Sequence, residues 1–173
     1  MIAHANRGSA LEALVIMANN AYRARKIGVI HKVPTAWLPI RDGTGKVASA
    51  KVQEKAAVDF IGHVRIDGHA LPVAFDCKET RQDKWPLSRL EPHQYEYLAD
   101  CHATGACAFV LLGFVTRDRY FVLPFPALQK YWEKWQEYGR PASVRIDDPA
   151  LIEVRFPEYL KWLNKEALLC RNS

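Results

Sequence analysis

Two charged residues, Asp76 and Lys78, are two positions apart in the stretch AFDCKET, which runs from Ala74 to Thr80. Side chains two positions apart lie on the same face of a β-strand, so a carboxylate and an ammonium group would be neighbours there. A solvated strand edge can carry such a pair without any function. An active site that binds a metal ion and orients a water molecule requires one.

A second carboxylate, Asp59, lies upstream in the stretch AVDFIG. The segments VDFIGHVRI and LPVAFDCKE flank DGHA, which predicts an antiparallel hairpin. If the turn is centred on Asp67 and Gly68, Asp59 and Asp76 come level at the open ends of the two strands. Two carboxylates that close repel each other unless a divalent cation lies between them, and magnesium prefers a few carboxylates together with water and phosphate oxygens. Lys78 would then orient the attacking water and stabilise negative charge building up on phosphorus.

The elements that position these residues follow from hydrophobic periodicity and turn signals. Helices are predicted in SALEALVIMANNAYRARKIG, HQYEYLADCHATG, PALQKYWEKWQEYG and PEYLKWLNKEALL. GVIHKVP predicts a short strand, ACAFVLLGFV predicts a strand buried on both faces, and RYFVLPF predicts its hairpin partner. RQDKWPLSRLEP predicts a loop. The alternation of helices and strands indicates an α/β domain.

The segment from Thr35 to Ala57 shows no sustained period and contains three lysines. It is too long for an ordinary connection and has few large apolar residues to bury, so we expect a functional, mobile loop.

Composition agrees with one domain spanning residues 1–173, since 49% of the residues are apolar and 25% are charged. The formal charge of +5 suits a polyanionic partner. The sequence has no run of eighteen apolar residues and no apolar stretch behind a basic start. We therefore expect a cytoplasmic protein that does not enter the membrane.

Beyond these local patterns, several blocks resemble, in the same order, those of the RecU-type Holliday junction resolvases, a branch of the PD-(D/E)xK nuclease superfamily. The blocks are ANRGSALE, VIHKVPT, VDFIG, FDCKET, WPLSRLEPHQYEYL, and AFVLL followed by YFVLPF, and they extend from Ala5 to about Tyr138. The resemblance implies an α/β restriction-endonuclease-like fold, with a central mixed β-sheet flanked by helices and a protruding stalk-like loop. It also implies a homodimer that cuts four-way junction DNA with magnesium, or manganese as a substitute, in a bacterial cell or as a viral protein in a bacterial host.

The resemblance also implies roles for individual residues. The metal ligands fall on Asp59, Asp76, the backbone carbonyl of Cys77, and Glu12, which would reach the metal from the first helix. The catalytic lysine falls on Lys78, and the glutamine of the HQ pair falls on Gln94. The segment from Thr35 to Ala57 corresponds to the stalk that enters the junction. Asp76 replaces the glutamate frequent in relatives, which shortens the reach to the metal, and the stalk sequence does not match the family closely.

Basic residues that could contact DNA phosphates are Arg7, Lys46, Lys51, Lys55 and Arg81. Each candidate residue also has a purely structural interpretation. Asp59 suits a strand end, Lys78 a solvated strand, Gln94 a helix start, Glu12 a solvent-facing helix position, and the basic residues a solvated surface. Two other functions remain open: a related nuclease that acts on branched or damaged DNA, and a junction-binding module without catalytic activity.

Overall fold

The structure of the chain is a computed structural model that describes residues 10–34, 36–54 and 56–166. In this part of the chain, six strands form a central mixed sheet. In spatial order they are β1 (Gly28–Lys32), β4 (Phe60–Ile66), β5 (His69–Thr80), β7 (Cys107–Phe114), β8 (Arg119–Pro124) and β10 (Ile152–Val154). The neighbours β5 and β7 are parallel, and the other neighbouring strands of the sheet are antiparallel.

Helices cover both faces of this sheet. Helix α1 (Ala10–Ala24) packs on one face, where Leu11 and Val15 join a cluster that contains Phe75 and Phe109. Helices α2 (Pro92–Ala103) and α3 (Phe125–Tyr138) pack on the other face. All eight residues of β7 are buried, as expected of a strand covered on both sides. The predicted α/β architecture with a central mixed sheet between helices is therefore confirmed.

The predicted hairpin around Asp67 and Gly68 is present. Ile66 pairs with His69 across a two-residue turn, and Asp67 and Gly68 have φ angles of 49° and 81°. Two successive positive φ angles fit the tight turn whose twist matches that of the flanking strands, and aspartate followed by glycine tolerates them best. This turn sets the register of β4 and β5, and with it the relative positions of Asp59 and Asp76.

The segment from Thr35 to Ala57 was predicted as an irregular loop, and that prediction was wrong. It contains strands β2 (Ala36–Arg41) and β3 (Val47–Glu54), which pair into a separate two-stranded hairpin. Pro39 is tolerated in β2 because each strand of a two-stranded ribbon has a free edge. The side chains of residues 39–49 are all exposed. The expected mobility stays a prediction.

Two further segments differ from the predictions. RQDKWPLSRLEP contains a short strand, β6 (Lys84–Pro86), which pairs with β9 (Ser143–Arg145), and a turn of 3-10 helix at Leu87–Arg89. The helix predicted in PEYLKWLNKEALL is limited, within the described residues, to α4 (Leu163–Glu166). Among the described helices, none has the length and apolar character needed to cross a membrane.

Candidate active site

The candidate site lies where the pairing of β4 and β5 ends. Phe60 and Phe75 form the last pair; Asp59 directly precedes β4, and Asp76 follows Phe75 within β5. The Oδ2 atom of Asp59 accepts a hydrogen bond of 2.8 Å from the backbone N–H of Cys77. A side-chain carboxylate thereby occupies the acceptor position that the backbone of β4 would otherwise fill. Strand β5 continues to Thr80, so its last residues have an open edge on this side.

Backbone carbonyls of β5 face the same open edge. In an extended strand, the N–H and C=O groups of one residue point toward the same neighbour, and they alternate between the two sides from residue to residue. Because the N–H of Cys77 points to Asp59, the carbonyls of Cys77 and Glu79 point to the open edge too. This agrees with the predicted position of the Cys77 carbonyl beside the two carboxylates.

Asp76 is fully buried, and each of its carboxylate oxygens has a different environment. Oδ1 accepts a hydrogen bond of 2.9 Å from Nε2 of Gln94. Oδ2 lies 2.7 Å from Nζ of Lys78, a close ionic contact without the direction of a hydrogen bond, and it has no hydrogen-bond partner in the described part of the chain. Burial, reinforced by the nearby charge of Asp59, raises the pKa of Asp76 from 3.8 to about 7, although Lys78 opposes the shift.

Gln94 connects the strand to helix α2. Its Oε1 accepts hydrogen bonds from Nζ of Lys78 at 3.0 Å and from the backbone N–H of Glu91 at 3.1 Å. Gln94 therefore holds the first turn of α2 and also contacts Asp76 and Lys78, and its catalytic role stays a prediction. The structure thus brings Asp59, Asp76, Lys78 and Gln94 into one cluster.

Glu12 approaches the cluster from the opposite face of the sheet. It lies in the first turn of α1, has a side chain that is 16% exposed, and forms an ion pair with Lys32 at the end of β1. Burial raises the pKa of the Cys77 thiol well above its ordinary value, and the charges of Asp59, Asp76 and Glu12 add to this shift. The Glu12 carboxylate is thus near Cys77, but its charge is shared with Lys32.

The oxygens at this site fit a hard divalent cation. Burial and the repulsion from Asp59 raise the pKa of Asp76, and a cation would offset both effects and would bind Oδ2, which has an ionic contact with Lys78 but no hydrogen bond in the described part of the chain. No group of three or more His, Cys, Asp or Glu side chains able to hold a metal occurs among the residues that the structure describes. Magnesium is bound through one or two carboxylates together with waters and phosphate oxygens, and Asp59 and Asp76 supply two carboxylates here.

The predicted DNA-binding residues are distributed more widely. Arg81 follows β5 and is exposed, and Lys46 is exposed in the turn between β2 and β3, where its N–H donates to Asp42. Lys51 lies in β3, paired with Leu38. Arg7 and Lys55 lie outside the described residues. Within the described part, no hydrogen bond or ion pair joins Lys46 or Arg81 to the carboxylate cluster.

Three residues near the cluster were not singled out from the sequence: Lys32, Glu79 and Arg89. Glu79 accepts a hydrogen bond of 2.8 Å from the N–H of Leu11 in the first turn of α1, and Nη1 of Arg89 donates one of 2.7 Å to the Glu79 carbonyl. Lys32 and Glu79 fall inside the blocks VIHKVPT and FDCKET, which was an available signal. Arg89 also falls inside a quoted block, WPLSRLEPHQYEYL, but nothing in the local sequence connects it to β5.

Comparison with known proteins identifies the family. The sequence profile of the Recombination protein U family, RecU, matches residues 6–163. The chain belongs to this family. A relative from Limosilactobacillus reuteri, named Holliday junction resolvase RecU, is 33% identical over 150 residues, which are 83% of this chain and 72% of the relative. Proteins of the same name from Levilactobacillus brevis and Lactobacillus delbrueckii subsp. bulgaricus are 29% and 31% identical, over 91% and 80% of this chain and 83% and 67% of their own lengths.

Proposed function

We propose that the chain is a magnesium-dependent endonuclease that resolves four-way DNA junctions during recombination and repair, acting as a homodimer in the bacterial cytoplasm. Two lines of argument support this function. The RecU relatives bear the name Holliday junction resolvase, and Asp59, Asp76, Lys78 and Gln94 form one cluster at the open end of β4 and β5. The cluster carries the proposal, because a junction-binding module without catalytic activity does not need a buried carboxylate beside a lysine.

Asp59 and Asp76 would hold the cation, with the carbonyl of Cys77 facing the same edge. When bound, the ion would supply a Lewis acid that polarises a phosphoryl oxygen and favours ionisation of water. We assign magnesium as the cation, with manganese as a substitute. Glu12 forms an ion pair with Lys32, so it would become a metal ligand only when substrate binding breaks that pair. This arrangement suits the single restriction-endonuclease-like domain that we propose for the chain.

The protein's own groups would orient the reactants. The ammonium group of Lys78, held by Gln94 at 3.0 Å, can donate a hydrogen bond to the attacking water and then stabilise the charge that develops on the phosphoryl oxygens. Water attacks phosphorus, the bond to the 3′ oxygen breaks, and that oxygen takes up a proton. The products are a 5′-phosphate and a 3′-hydroxyl, which a ligase can rejoin.

Symmetry supports the homodimer. A four-way junction has approximate two-fold symmetry, and an isologous dimer presents two identical sites to related strands. We propose that the hairpin of β2 and β3 is the stalk that enters the centre of the junction. The side chains of residues 39–49 in this hairpin are exposed and so accessible for such a contact.

The experiment compares cleavage of a four-way junction, a flap and a linear duplex, with magnesium and with EDTA. We expect magnesium-dependent, paired incisions in the junction and little cutting of linear duplex. Asp76→Asn should abolish cleavage but retain junction binding, because phosphate contacts supply most of the affinity. Asp147→Asn, at an exposed residue paired with Arg145, is the matched control and should cut normally. Equal cutting of flaps and junctions would favour a general branched-DNA nuclease, and no cleavage by the unmodified protein would favour a binding module.

A further inference from the structure

A cleft of about 670 Å³ lies along the end of β5. Its lining includes Ala10 at the start of α1, Glu79 and Arg81 from the end of β5 and the following turn, and Arg89 from the 3-10 turn. Glu79, one of these lining residues, directly follows Lys78 on β5. A nucleic-acid strand whose cut phosphate lies at the cluster must continue across a neighbouring surface, and this cleft is adjacent to that position.

Arg89 occupies the open edge of β5 inside this cleft. Its Nη1 atom donates to the carbonyl of Glu79, two residues beyond the carbonyl of Cys77 on the same edge. Two residues of an extended strand span roughly 7 Å, which is close to the spacing of successive phosphates along a nucleic-acid strand. The Arg89 guanidinium is therefore positioned about one phosphate away from the site where Asp59, Asp76 and the Cys77 carbonyl converge.

The backbone that carries Arg89 is firmly anchored. Leu87 and Leu90 on either side of it are 0% and 1% exposed. The N–H of Leu87 donates to the carbonyl of Ala142, and the N–H of Leu90 donates to the carbonyl of Leu87. The turn fixes the position of the Arg89 backbone, and the hydrogen bond to the Glu79 carbonyl already restrains its side chain, which lowers the entropy lost on binding a ligand.

The charge of Arg89 is available to a ligand. Within the described residues it has no carboxylate partner, whereas the nearby Arg117 is engaged by Asp83 through two hydrogen bonds. A guanidinium group has five N–H donors in a planar fork, so the contact with the Glu79 carbonyl leaves donors for a phosphate. The Glu79 carboxylate accepts from the N–H of Leu11 at the positive end of α1, which offsets its repulsion of an anion.

We propose that Arg89 is a substrate-positioning residue that binds the DNA backbone phosphate adjoining the one that is cut. This inference rests on the proposed nuclease function and adds a phosphate subsite to it. The guanidinium fixes the strand on one side of the reacting phosphorus, while Lys78 acts at that phosphorus. Its contact with the Glu79 carbonyl sets the distance between the two phosphates.

The test combines protein variants with a charge deletion in the DNA. A neutral methylphosphonate is placed at the phosphate on either side of the cut position in turn, and single-turnover cleavage of the junction is measured for the unmodified protein, Arg89→Ala, Arg89→Lys and Arg65→Ala. Arg65 is exposed on β4 near the opposite end of the sheet, so its variant is the charge-matched control.

At one of the two positions, we expect the methylphosphonate to lower the cleavage rate of the unmodified protein and of Arg65→Ala by about ten-fold or more. This factor corresponds to the loss of one charged hydrogen bond. Arg89→Ala should be slow on natural DNA and lose nothing further from the modification, and Arg89→Lys should keep part of the response. If Arg89→Ala responds to both modifications as strongly as Arg65→Ala does, the inference is overturned.

The outcome can be separated from failure of the proposed function. If the unmodified protein binds junctions but does not cut them, the affinities of the same variants for natural and methylphosphonate DNA can be compared in EDTA. This comparison still decides whether Arg89 contacts that phosphate. The salt dependence of binding gives a second measure, because loss of one phosphate contact lowers the slope of log affinity against log salt by about 0.9 for duplex DNA. The contact would be excluded if Arg89→Ala and Arg65→Ala had the same salt slope and also responded equally to the methylphosphonate.

Discussion

The amide of Gln94 donates a 2.9 Å hydrogen bond to Oδ1 of Asp76, and its oxygen accepts from Lys78 and from the N–H of Glu91. Gln94→Glu separates these roles. Glutamate keeps an acceptor for the Glu91 N–H and suits the third position of a helix, but it places a second negative charge beside Asp76. We expect Gln94→Glu to cut at least about ten-fold more slowly with little loss of helix stability, and Gln94→Ala to lose rate and also about 1 kcal/mol of folding free energy.

Thermal unfolding and single-turnover cleavage, measured on the same preparations, check this prediction. Gln129→Glu is a suitable control, because Gln129 lies on α3 and bonds to Glu133. If Gln94→Glu cuts at the normal rate, the hydrogen bond to Asp76 contributes nothing to catalysis and Gln94 acts only at the helix start.

Lys78→Ala is expected to bind junction DNA yet cut about 100- to 1000-fold more slowly, since one donor aimed at developing charge is removed. Lys78→Arg should restore little activity, because a planar guanidinium cannot reproduce a compact ammonium between Asp76 and Gln94. Lys161→Ala, at an exposed lysine paired with Glu158, is the control. Near-normal cutting by Lys78→Arg would reduce Lys78 to a general phosphate contact.

The sequence was sufficient to predict the parts of the site that depend on local rules. Alternating apolar residues and the Asp67–Gly68 turn set the register of β4 and β5, and that register alone places Asp59 opposite Asp76. The hydrogen bond from Cys77 to Asp59 could not be predicted in this way, because it requires the two strands to stop pairing at one particular residue.

Strands of only three residues and contacts between distant segments could not be predicted from the sequence either. β6, β9 and β10 are too short to show a period. Arg89 reaches Glu79 only because the buried Leu87 and Leu90 fold their turn against the sheet. The pairing of β2 with β3 was obscured by Pro39 and by the lack of buried side chains in residues 39–49.

Ionisation of Asp76 should make the stability of the protein depend on pH. Its pKa is about 7 in the folded protein and 3.8 ordinarily, so the folded state holds the proton more tightly. Its contribution to stability is therefore fully present below about pH 3.8 and is lost as the pH rises toward 7. Asp76→Asn cannot ionise, so the variant should become progressively more stable relative to the unmodified protein between pH 5 and 7, by at most about 1.4 kcal/mol per pH unit.

Urea unfolding of both proteins from pH 5 to 8 in EDTA measures this difference. Asp147→Asn should show no such trend in that range, because Arg145 lowers the pKa of Asp147 and keeps it ionised throughout. Magnesium should stabilise the unmodified protein more at pH 8 than at pH 5, since the proton and the cation compete for Asp76. A stability difference between Asp76→Asn and the unmodified protein that does not vary with pH would contradict the raised pKa.

The hairpin of β2 and β3 should distinguish a junction-specific enzyme from a general nuclease. The N–H of Val33 donates to the carbonyl of Asp59 at 2.8 Å, so the two ends of the segment are adjacent. A short Gly-Ser linker between Pro34 and Val58 can therefore replace residues 35–57, and removing residues 39–49 exposes no core because their side chains are already exposed. The variant should fold and dimerise normally.

We expect this deletion to weaken binding to four-way junctions more than binding to linear duplex, because only the junction has a central opening that the hairpin could occupy. The measured quantity is the ratio of the two affinities at one fixed salt concentration, since non-specific binding varies steeply with salt. A second variant keeps the hairpin but replaces Lys46, Lys51 and Lys55 by glutamine, which removes the positive charge of these three lysines without removing the shape. A lower ratio in the deletion alone indicates recognition by shape, and a lower ratio in both indicates recognition by charge. A ratio unchanged by the deletion would remove the hairpin from recognition and favour a nuclease that acts on branched DNA in general.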